Sequence, residues 1–142
     1  MVELIVWGII VLGGDEVLLL RKINDLKPEK KEEWALVGGH VEAGESFRQA
    51  LKREIMEEVG ITVREEDMEF KYFIDRSLAG QHKAHLFFKI TTWQGEVYNK
   101  ESDIHLEARW HKLDNLPANL GPLATKAIRS LYDNEIYGEY GD

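Results

Sequence analysis

Residues 38–61, GGHVEAGESFRQALKREIMEEVGI, constrain the fold more than any other stretch, because they define both ends of one helix. Ser46 followed three residues later by Gln49 is the pattern of a capping box, which begins a helix. Gly60 is suited to the left-handed residue that follows a last helical turn. The pattern therefore predicts a helix over residues 46–59 that follows a glycine-rich loop.

Three glutamates share one face of this predicted helix. At about 100° per residue, Glu54, Glu57 and Glu58 fall within an arc of about 100°. They repel one another, and they lie in the C-terminal half of the helix, where the macrodipole disfavours anions. A bound Mg²⁺ or Mn²⁺, which prefers oxygen ligands, would compensate these costs, whereas the alternative is a crowded acidic face in solvent. The adjoining stripe, which we expect to face the core, is Leu51, Ile55 and Val59.

The glycines before the helix allow the backbone to approach a ligand closely. Gly38 and Gly39 form a pair, and Gly44 marks a sharp turn just before the helix. If the loop folds back on the helix, Glu45 meets Arg53. We expect these two side chains to form an ion pair that fixes the loop against the helix.

The rest of the chain predicts a mixed β-sheet and a second helix. The predicted strands cover residues 2–12, 16–21, 34–37, 68–78, 82–93 and 107–113. Residues 23–33 are polar and contain a charge run, which predicts an exposed loop, and residues 120–137 contain the second helix. The acidic tail from Asp133 onward is expected to be frayed or to make dimer contacts. This order of elements predicts an α/β (α+β) sandwich with helices on both faces of the sheet.

Length and composition limit the class of protein. The 142 residues suit one domain over 1–142, and the formal net charge of -8 argues against a long nucleic acid as partner. A small polyanionic substrate would need a cation such as a divalent metal. The absence of cysteine excludes disulfides and thiolate zinc sites. The longest apolar run is too short to span a bilayer and no signal peptide precedes it, so we expect a cytoplasmic protein with no membrane partner.

These residues together match the signature of the Nudix family, G-x5-E-x7-R-E-U-x-E-E-x-G-U, in which U is apolar. The matching positions are Gly39, Glu45, Arg53, Glu54, Ile55, Glu57, Glu58, Gly60 and Ile61. The segments 93–96, 99–101, 107–110 and 116–119 also resemble the small MutT-like members. One departure is Val37, where many members have proline. The chain is thus identified as a Nudix domain whose box covers residues 39–61.

The resemblance implies a Nudix-type α/β/α sandwich and a metal-dependent hydrolase, in which water attacks a phosphorus of a pyrophosphate. It implies Mg²⁺, or Mn²⁺, as the cofactor. Carried over by position, the metal ligands are the carbonyl of Gly38 and the carboxylates of Glu54, Glu57, Glu58 and Glu101. Glu54 is the preferred general base and Glu101 the second choice. Arg53 and Glu45 would orient the loop that presents these groups.

The favoured substrates are nucleoside or deoxynucleoside triphosphates, oxidised ones included, cleaved to a monophosphate and pyrophosphate. ADP-ribose or an NDP-sugar is the alternative, and triphosphates are preferred because larger ADP-ribose members carry extra N-terminal structure before the first strand. A nucleotide-binding regulator without turnover is a third reading, which the intact box argues against. The chain is expected to be a monomer or a homodimer.

Four residues are candidates for substrate binding: Arg21, Gly39, His40 and Asn119. Arg21, together with its neighbour Lys22, would reach a phosphate or remain a solvated strand end, and Asn119 would read a base or cap the second helix. Gly39 and His40 lie in the box, where His40 could contact a phosphate. No pair of histidines has a helix-borne ligand spacing, so no zinc site is predicted. The aromatic side chains that could stack on a base or belong to the core are Trp7, Phe73, Phe87 and Trp110.

Overall fold

The computed structural model describes residues 2–23 and 31–141, and its strands join in one mixed sheet. The strands are β1 (Glu3–Leu12), β2 (Glu16–Ile23), β3 (Glu32–Ala35), β4 (Val37–His40), β5 (Glu69–Leu78), β6 (Gln81–Ile90), β7 (Glu107–Lys112) and β8 (Tyr137–Gly141). The helices are α1 (Phe47–Val59) and α2 (Pro122–Asp133), with a short 3₁₀ turn at Glu65–Asp67. No helix among the described residues is long and apolar enough to cross a membrane.

The sheet follows the order β3-β2-β1-β6-β5-β8, and β4 pairs with β1 while β7 pairs with β2. The pairs β1–β6 and β5–β8 are parallel, and the other pairs are antiparallel. One apolar cluster packs α1 on one face of the sheet, and a second cluster packs α2 on the other. The predicted α/β/α sandwich is therefore confirmed.

Helix α1 begins and ends as its sequence predicts. The Ser46 hydroxyl accepts a hydrogen bond from the N–H of Gln49, and the Gln49 side chain accepts one from the N–H of Ser46. Gly60 follows the last turn with a φ of 72°. The predicted stripe of Leu51, Ile55 and Val59 is fully buried. The box helix is thus fixed in position by its caps and by its apolar face.

The region around β3 differs from the prediction. Glu32 and Glu33 belong to β3, so the predicted exposed loop is wrong at these two residues; residues 24–30 lie outside the described part of the chain. The predicted strand over 34–37 is divided at Leu36 into the ends of β3 and β4. The charged residues are accommodated because β3 lies at the edge of the sheet, where polar side chains are tolerated.

The C-terminal tail is not frayed, so this part of the prediction is wrong, whereas dimer contacts by the tail stay a prediction. Residues Tyr137–Gly141 form β8, which pairs in parallel with β5, so the strand predicted over 107–113 is not the last. The ring of Tyr137 stacks on Phe73 with centroids 6.0 Å apart. Tyr137 and Tyr140 are the residues of this segment with high strand propensity, and its glycines and acidic residues obscure that signal. Strand β6 ends at Ile90 rather than at residue 93.

Candidate active site

The carboxylate face of α1 lies against the glycine pair of β4. The backbone N–H of Gly38 donates a buried hydrogen bond to Oε1 of Glu58 at 2.8 Å. A Cβ atom on Gly39 would lie 2.5 Å from Cδ of Glu54, which is closer than real Cβ atoms approach. A Cβ on Gly38 would overlap the carbonyl oxygen of Val6. Only glycines therefore allow the strand to approach the carboxylates this closely.

Arg53 fastens the loop before α1 to the helix. Its guanidinium donates to both carboxylate oxygens of Glu45, at 2.7 and 2.9 Å, and to the backbone oxygen of His40 at 3.1 Å. It also donates to Oε1 of Glu54 at 2.9 Å. Hydrogen bonds from Arg53 lower the pKa of Glu45 to about 2. The predicted Glu45–Arg53 ion pair is confirmed, and its forked geometry orients Glu54 as well.

A second loop is hydrogen-bonded to the C-terminal end of α1. The N–H groups of Tyr98 and Lys100 donate to the backbone oxygens of Val59 and Glu58, at 3.2 and 3.0 Å. Carbonyls in the last turn of a helix have no partner within the helix, so this loop satisfies two of them. The Tyr98 ring occupies the space that a Cβ on Gly60 would need. The loop is thereby held beside the carboxylate helix.

Within this loop one turn brings Glu101 and His105 to the same side. The backbone oxygen of Glu101 accepts hydrogen bonds from the N–H groups of Ile104 and His105, both at 2.9 Å. Residues four apart in such a helical turn face the same direction. The side chains of Glu101 and His105 therefore project together towards α1.

Glu58, Glu101 and His105 form the tightest group of possible metal ligands in the described part of the chain. One donor atom from each lies within 4.8 Å of the other two, and Nε2 of His105 is 3.3 Å from Oε2 of Glu58. Glu58 is 6% exposed and His105 is 5% exposed. Two carboxylate oxygens and an imidazole nitrogen are a donor set that fits a divalent cation.

The protonation of these groups follows from their burial. Burial raises the pKa of Glu58 to about 8, against the opposing hydrogen bond from Gly38. Burial also raises the pKa of Glu54 and of Glu101. Burial, with the charge of Lys22 nearby, lowers the pKa of His105 and favours the neutral ring. A cation among these carboxylates would reverse the penalty that holds Glu58 protonated.

The other predicted ligands lie at the margin of this group. Glu54 lies beside Gly39, and its charge acts on Glu58. Glu57 has a side chain that is 48% exposed, and Arg53 approaches it at 3.4 Å. The proposed metal roles of Glu54, Glu57 and the Gly38 carbonyl stay predictions. His105 is not among the ligands predicted from the sequence, because no second histidine lies at ligand spacing from it; the available signal is its i, i+4 spacing from Glu101.

A cleft of about 740 Å³ opens on the α2 side of the sheet. Trp7 and Phe87 contribute aromatic surface to it, and their ring planes are within 14° of parallel. The indole N–H of Trp7 donates to Nδ1 of His85 at 2.9 Å, which fixes the orientation of the indole. The cleft is also lined by Lys22, Arg76, Pro122 and Tyr140.

The carboxylates do not line this cleft, but they adjoin it through one strand pairing. Trp7 lies directly opposite Gly38 in the β1–β4 register, and Gly38 is the residue that binds Glu58. Lys22 lines the cleft, with its ammonium 5.9 Å from the centroid of the Trp7 ring, and its charge acts on Glu58 and His105. A ligand bound in the cleft would therefore have a cationic side chain between it and the carboxylates.

The structure separates the predicted substrate residues. Arg21 forms ion pairs with Glu32 at 2.7 Å and Glu107 at 3.2 Å, whereas its neighbour Lys22 lines the cleft. His40 is exposed, and its Nε2 lies 3.3 Å from Oε2 of Glu3. Substrate contacts by Arg21 and His40 stay predictions.

Asn119 and the aromatic candidates are also placed by the structure. The Asn119 amide donates to the backbone oxygen of Glu32 at 3.2 Å, and Gly121 is the N-cap of α2, so the helix-cap reading of Asn119 is wrong. Gly121 lines the cleft, which leaves Asn119 two residues from it. Trp7 and Phe87 line the cleft, whereas the other two candidates pack on the α1 side: Phe73 and Trp110.

The family model described as NUDIX domain matches residues 3–132. The chain belongs to the Nudix family. The match includes the box, the Glu101–His105 turn and all but the last residue of α2, and it ends before β8. Family membership was predicted from the box residues and is confirmed.

Similar proteins support a MutT-like member of the Nudix family. An 8-oxo-dGTP diphosphatase from Escherichia coli is 33% identical over 125 residues, which cover 85% of this chain and 88% of that protein. A crystal structure of a MutT NUDIX hydrolase from Burkholderia pseudomallei has a TM-score of 0.80 and 28% identity, covering 91% of this chain and 97% of that one.

A third relative is longer than this Nudix chain. An NAD-capped RNA hydrolase NudC from Haemophilus influenzae is 30% identical over 122 residues, covering 86% of this chain. The chain spans only 44% of the length of that relative. Because of this relative, the prediction that no long nucleic acid is a partner stays a prediction.

Proposed function

We propose that this Nudix chain hydrolyses nucleoside or deoxynucleoside triphosphates, oxidised ones included, to a monophosphate and pyrophosphate with Mg²⁺ or Mn²⁺. The observation that carries the proposal is the register pairing of Trp7 with Gly38. It joins an aromatic cleft suited to a base with a carboxylate group suited to a cation. The E. coli 8-oxo-dGTP diphosphatase, which matches nearly end to end, supports the same class of substrate.

In this proposal the cation is held by Glu58 and Glu101, together with Glu54, Glu57 and the carbonyl of Gly38. A cation so bound neutralises charge on the pyrophosphate oxygens and lowers the pKa of a bound water. Gly38 holds Oε1 of Glu58 through its N–H, which leaves Oε2 directed at the site.

Glu54 is the proposed general base, with Glu101 second. Burial raises the pKa of Glu54, which makes its carboxylate a better proton acceptor than an exposed glutamate. Arg53 fixes the carboxylate at 2.9 Å, and the Gly39 backbone limits its movement on the other side. Both constraints favour a defined orientation towards an attacking water.

The nucleoside is proposed to occupy the α2-side cleft. Trp7 and Phe87 would stack on the base, since both rings are presented by neighbouring strands in nearly parallel planes. Lys22 would meet a phosphate between the cleft and the carboxylates. Asn119, two residues before the cleft-lining Gly121, remains a candidate for reading the base edge.

ADP-ribose or an NDP-sugar is the second candidate substrate class. The cleft volume of about 740 Å³ lies in the upper part of the range for small-molecule sites, which leaves room for a group beyond the base. Arg76 lines the cleft with its guanidinium 4.8 Å from the centroid of the Tyr140 ring, and it offers donors to a second polar group. A nucleotide-binding regulator without turnover is a third reading, disfavoured by the intact carboxylates.

A product assay on a nucleotide panel tests the proposal. The panel contains the dNTPs, 8-oxo-dGTP, ADP-ribose, an NDP-sugar, a diadenosine polyphosphate and a short NAD-capped RNA, each with Mg²⁺ and with EDTA. Metal-dependent monophosphate and pyrophosphate from triphosphates are expected, and fastest cleavage of ADP-ribose or an NDP-sugar would establish the second candidate. Binding seen by thermal shift, with no product over hours, would replace the enzyme by the regulator.

A further inference from the structure

We infer that His105 is a nitrogen ligand of the cation held by Glu58 and Glu101, and that it makes this site favour a first-row transition-metal ion over Mg²⁺. The inference concerns the cation of the proposed function and rests on that function's need for one. It does not depend on which nucleotide is cleaved. His105 lies outside the box, in the loop that follows β6.

The distances among the three side chains fit coordination of one ion. Two ligands bonded at about 2.1 Å and at right angles to each other are about 3.0 Å apart, and opposite ligands are about 4.2 Å apart. Nε2 of His105 is 3.3 Å from Oε2 of Glu58, and the donor atoms of Glu58, Glu101 and His105 all lie within 4.8 Å of one another. The 3.3 Å separation is about 0.3 Å longer than that expected for neighbouring ligands of one ion.

A purely structural role explains His105 less well. A charge-assisted N–H···O hydrogen bond is usually about 2.7–2.9 Å long, so 3.3 Å is long for one between His105 and Glu58. The ring is 5% exposed, and its Nδ1 has no hydrogen-bond partner within residues 2–23 and 31–141. Burial of an imidazole beside a carboxylate that it contacts only at this length has a cost that packing alone does not require, and coordination of a cation through Nε2 would offset it.

The backbone holds His105 in place for this role. The N–H of His105 donates to the Glu101 oxygen at 2.9 Å, and the side-chain amide of Asn99 donates to the His105 oxygen at 2.7 Å. Lys100 links the same loop to Glu58. The ligands from helix and loop are therefore positioned before a cation arrives, which favours binding.

The ligand type determines the selectivity. Mg²⁺ prefers oxygen ligands, whereas imidazole nitrogen is a common ligand of first-row transition-metal ions. A site of carboxylates alone would bind Mg²⁺ and Mn²⁺ through the same atoms. With His105 added, the transition-metal ion gains a nitrogen ligand that Mg²⁺ uses poorly.

Electron spin-echo spectroscopy of the full chain with one equivalent of Mn²⁺ and no nucleotide tests the coordination directly. We expect nitrogen modulation from a bound imidazole in the wild type, its loss in His105→Asn, and its retention in the matched control His40→Asn. The wild-type spectrum needs no variant, so a misfolded mutant leaves the test intact. Bound Mn²⁺ without nitrogen modulation, or modulation that survives in His105→Asn, overturns the inference.

Calorimetric titration of Mn²⁺ and Mg²⁺ provides a second readout. In His105→Asn the Kd for Mn²⁺ is expected to rise at least about tenfold, while the Kd for Mg²⁺ changes less than about threefold. Equal weakening of both cations would assign His105 a structural role instead. Nitrogen modulation together with no turnover on the nucleotide panel would overturn the proposed function and leave this inference standing.

Discussion

The backbone N–H of Lys100 donates to the carbonyl oxygen of Glu58 at 3.0 Å, so the loop that carries Glu101 is attached to the helix turn that carries Glu58. The side chains of Glu58 and Glu101 approach each other from the same two segments. A cation between them would therefore link the helix and the loop a second time. Cation binding and the order of this loop should be coupled.

Addition of Mg²⁺ or Mn²⁺ is expected to slow amide hydrogen exchange in residues 98–105. Without a cation, no positive ion links the carboxylates of Glu58 and Glu101, so local opening of the loop costs less free energy. Exchange measured by mass spectrometry with metal and with EDTA checks this. Unchanged exchange in saturating metal would separate the loop from the metal site, and the β7 peptides serve as an internal control.

Glu58→Gln is expected to lower turnover by a factor of about 10³ or more while raising the midpoint of thermal unfolding in EDTA. The amide oxygen still accepts from Gly38, and an ionisable group that folds only by taking up a proton or by burying a charge is removed. Turnover at saturating Mg²⁺ and thermal melts in EDTA check both effects.

Glu57→Gln is the matched variant, since Glu57 is half exposed. It should lose turnover to a similar degree with little change in the midpoint. A near-wild-type rate at saturating Mg²⁺ in either variant would remove that residue from the metal site.

Arg53→Lys is expected to reduce kcat by about 10- to 100-fold. A lysine ammonium cannot reproduce the forked contacts to Glu45 together with those to Glu54 and the His40 backbone. Steady-state kinetics on the best substrate measure the change. Lys52→Ala, on the exposed face of the same helix, is the control, and a kcat for Arg53→Lys equal to that control would contradict the orienting role.

Trp7→Leu is expected to raise KM by about tenfold and to change kcat much less, because stacking on a base is worth about 1–3 kcal/mol. Phe73→Leu is the control, since Phe73 packs on the opposite face of the sheet. Kinetics on the same nucleotide compare the two variants. If both raise KM equally, the base does not lie in the α2-side cleft.

His85→Gln is expected to make the free energy of unfolding depend less on pH below about pH 6.5. Burial, with the charges of Lys83, Arg76 and His40, lowers the pKa of His85 to about 4 from its ordinary 6.5. Below pH 6.5 the unfolded chain takes up a proton that the folded chain refuses, so folding loses about 1.4 kcal/mol per pH unit down to about pH 4. Above about pH 6.5 the ring is neutral in both the folded and the unfolded chain, so this loss of folding free energy is absent.

Urea unfolding at pH 7.5, 6.0 and 5.0 compares His85→Gln with wild type. As the pH falls, the free energy of unfolding should decrease more steeply for wild type than for His85→Gln. The difference between the two proteins should therefore narrow. Parallel profiles for His85→Gln and wild type would show that His85 titrates normally in the fold.

The local parts of this structure were predictable from sequence because their signals are local. The capping box of Ser46 and Gln49, the left-handed Gly60 and the Glu45–Arg53 pair each depend on spacings within one loop and one helix. The apolar stripe of α1 follows from helix periodicity in the same way. All of these predictions are confirmed.

The remaining parts depend on contacts between distant segments. The pairing of Trp7 with Gly38 depends on strand register, and the bond from Lys100 to Glu58 depends on how a loop returns to a helix end. Neither has a sequence spacing that identifies it. His105 was missed because its partner Glu58 lies far away in sequence, although its spacing from Glu101 was a usable signal.

Strand β8 contributes to the cleft although it lies beyond the residues that the family model matches. Tyr140 lines the cleft from a segment that lies after the residues matched by the family model, whereas the carboxylates all lie within them. One wall of the cleft therefore comes from a different segment than the proposed metal ligands do. Exchange of Tyr140 would change that wall while leaving every one of these carboxylates in place.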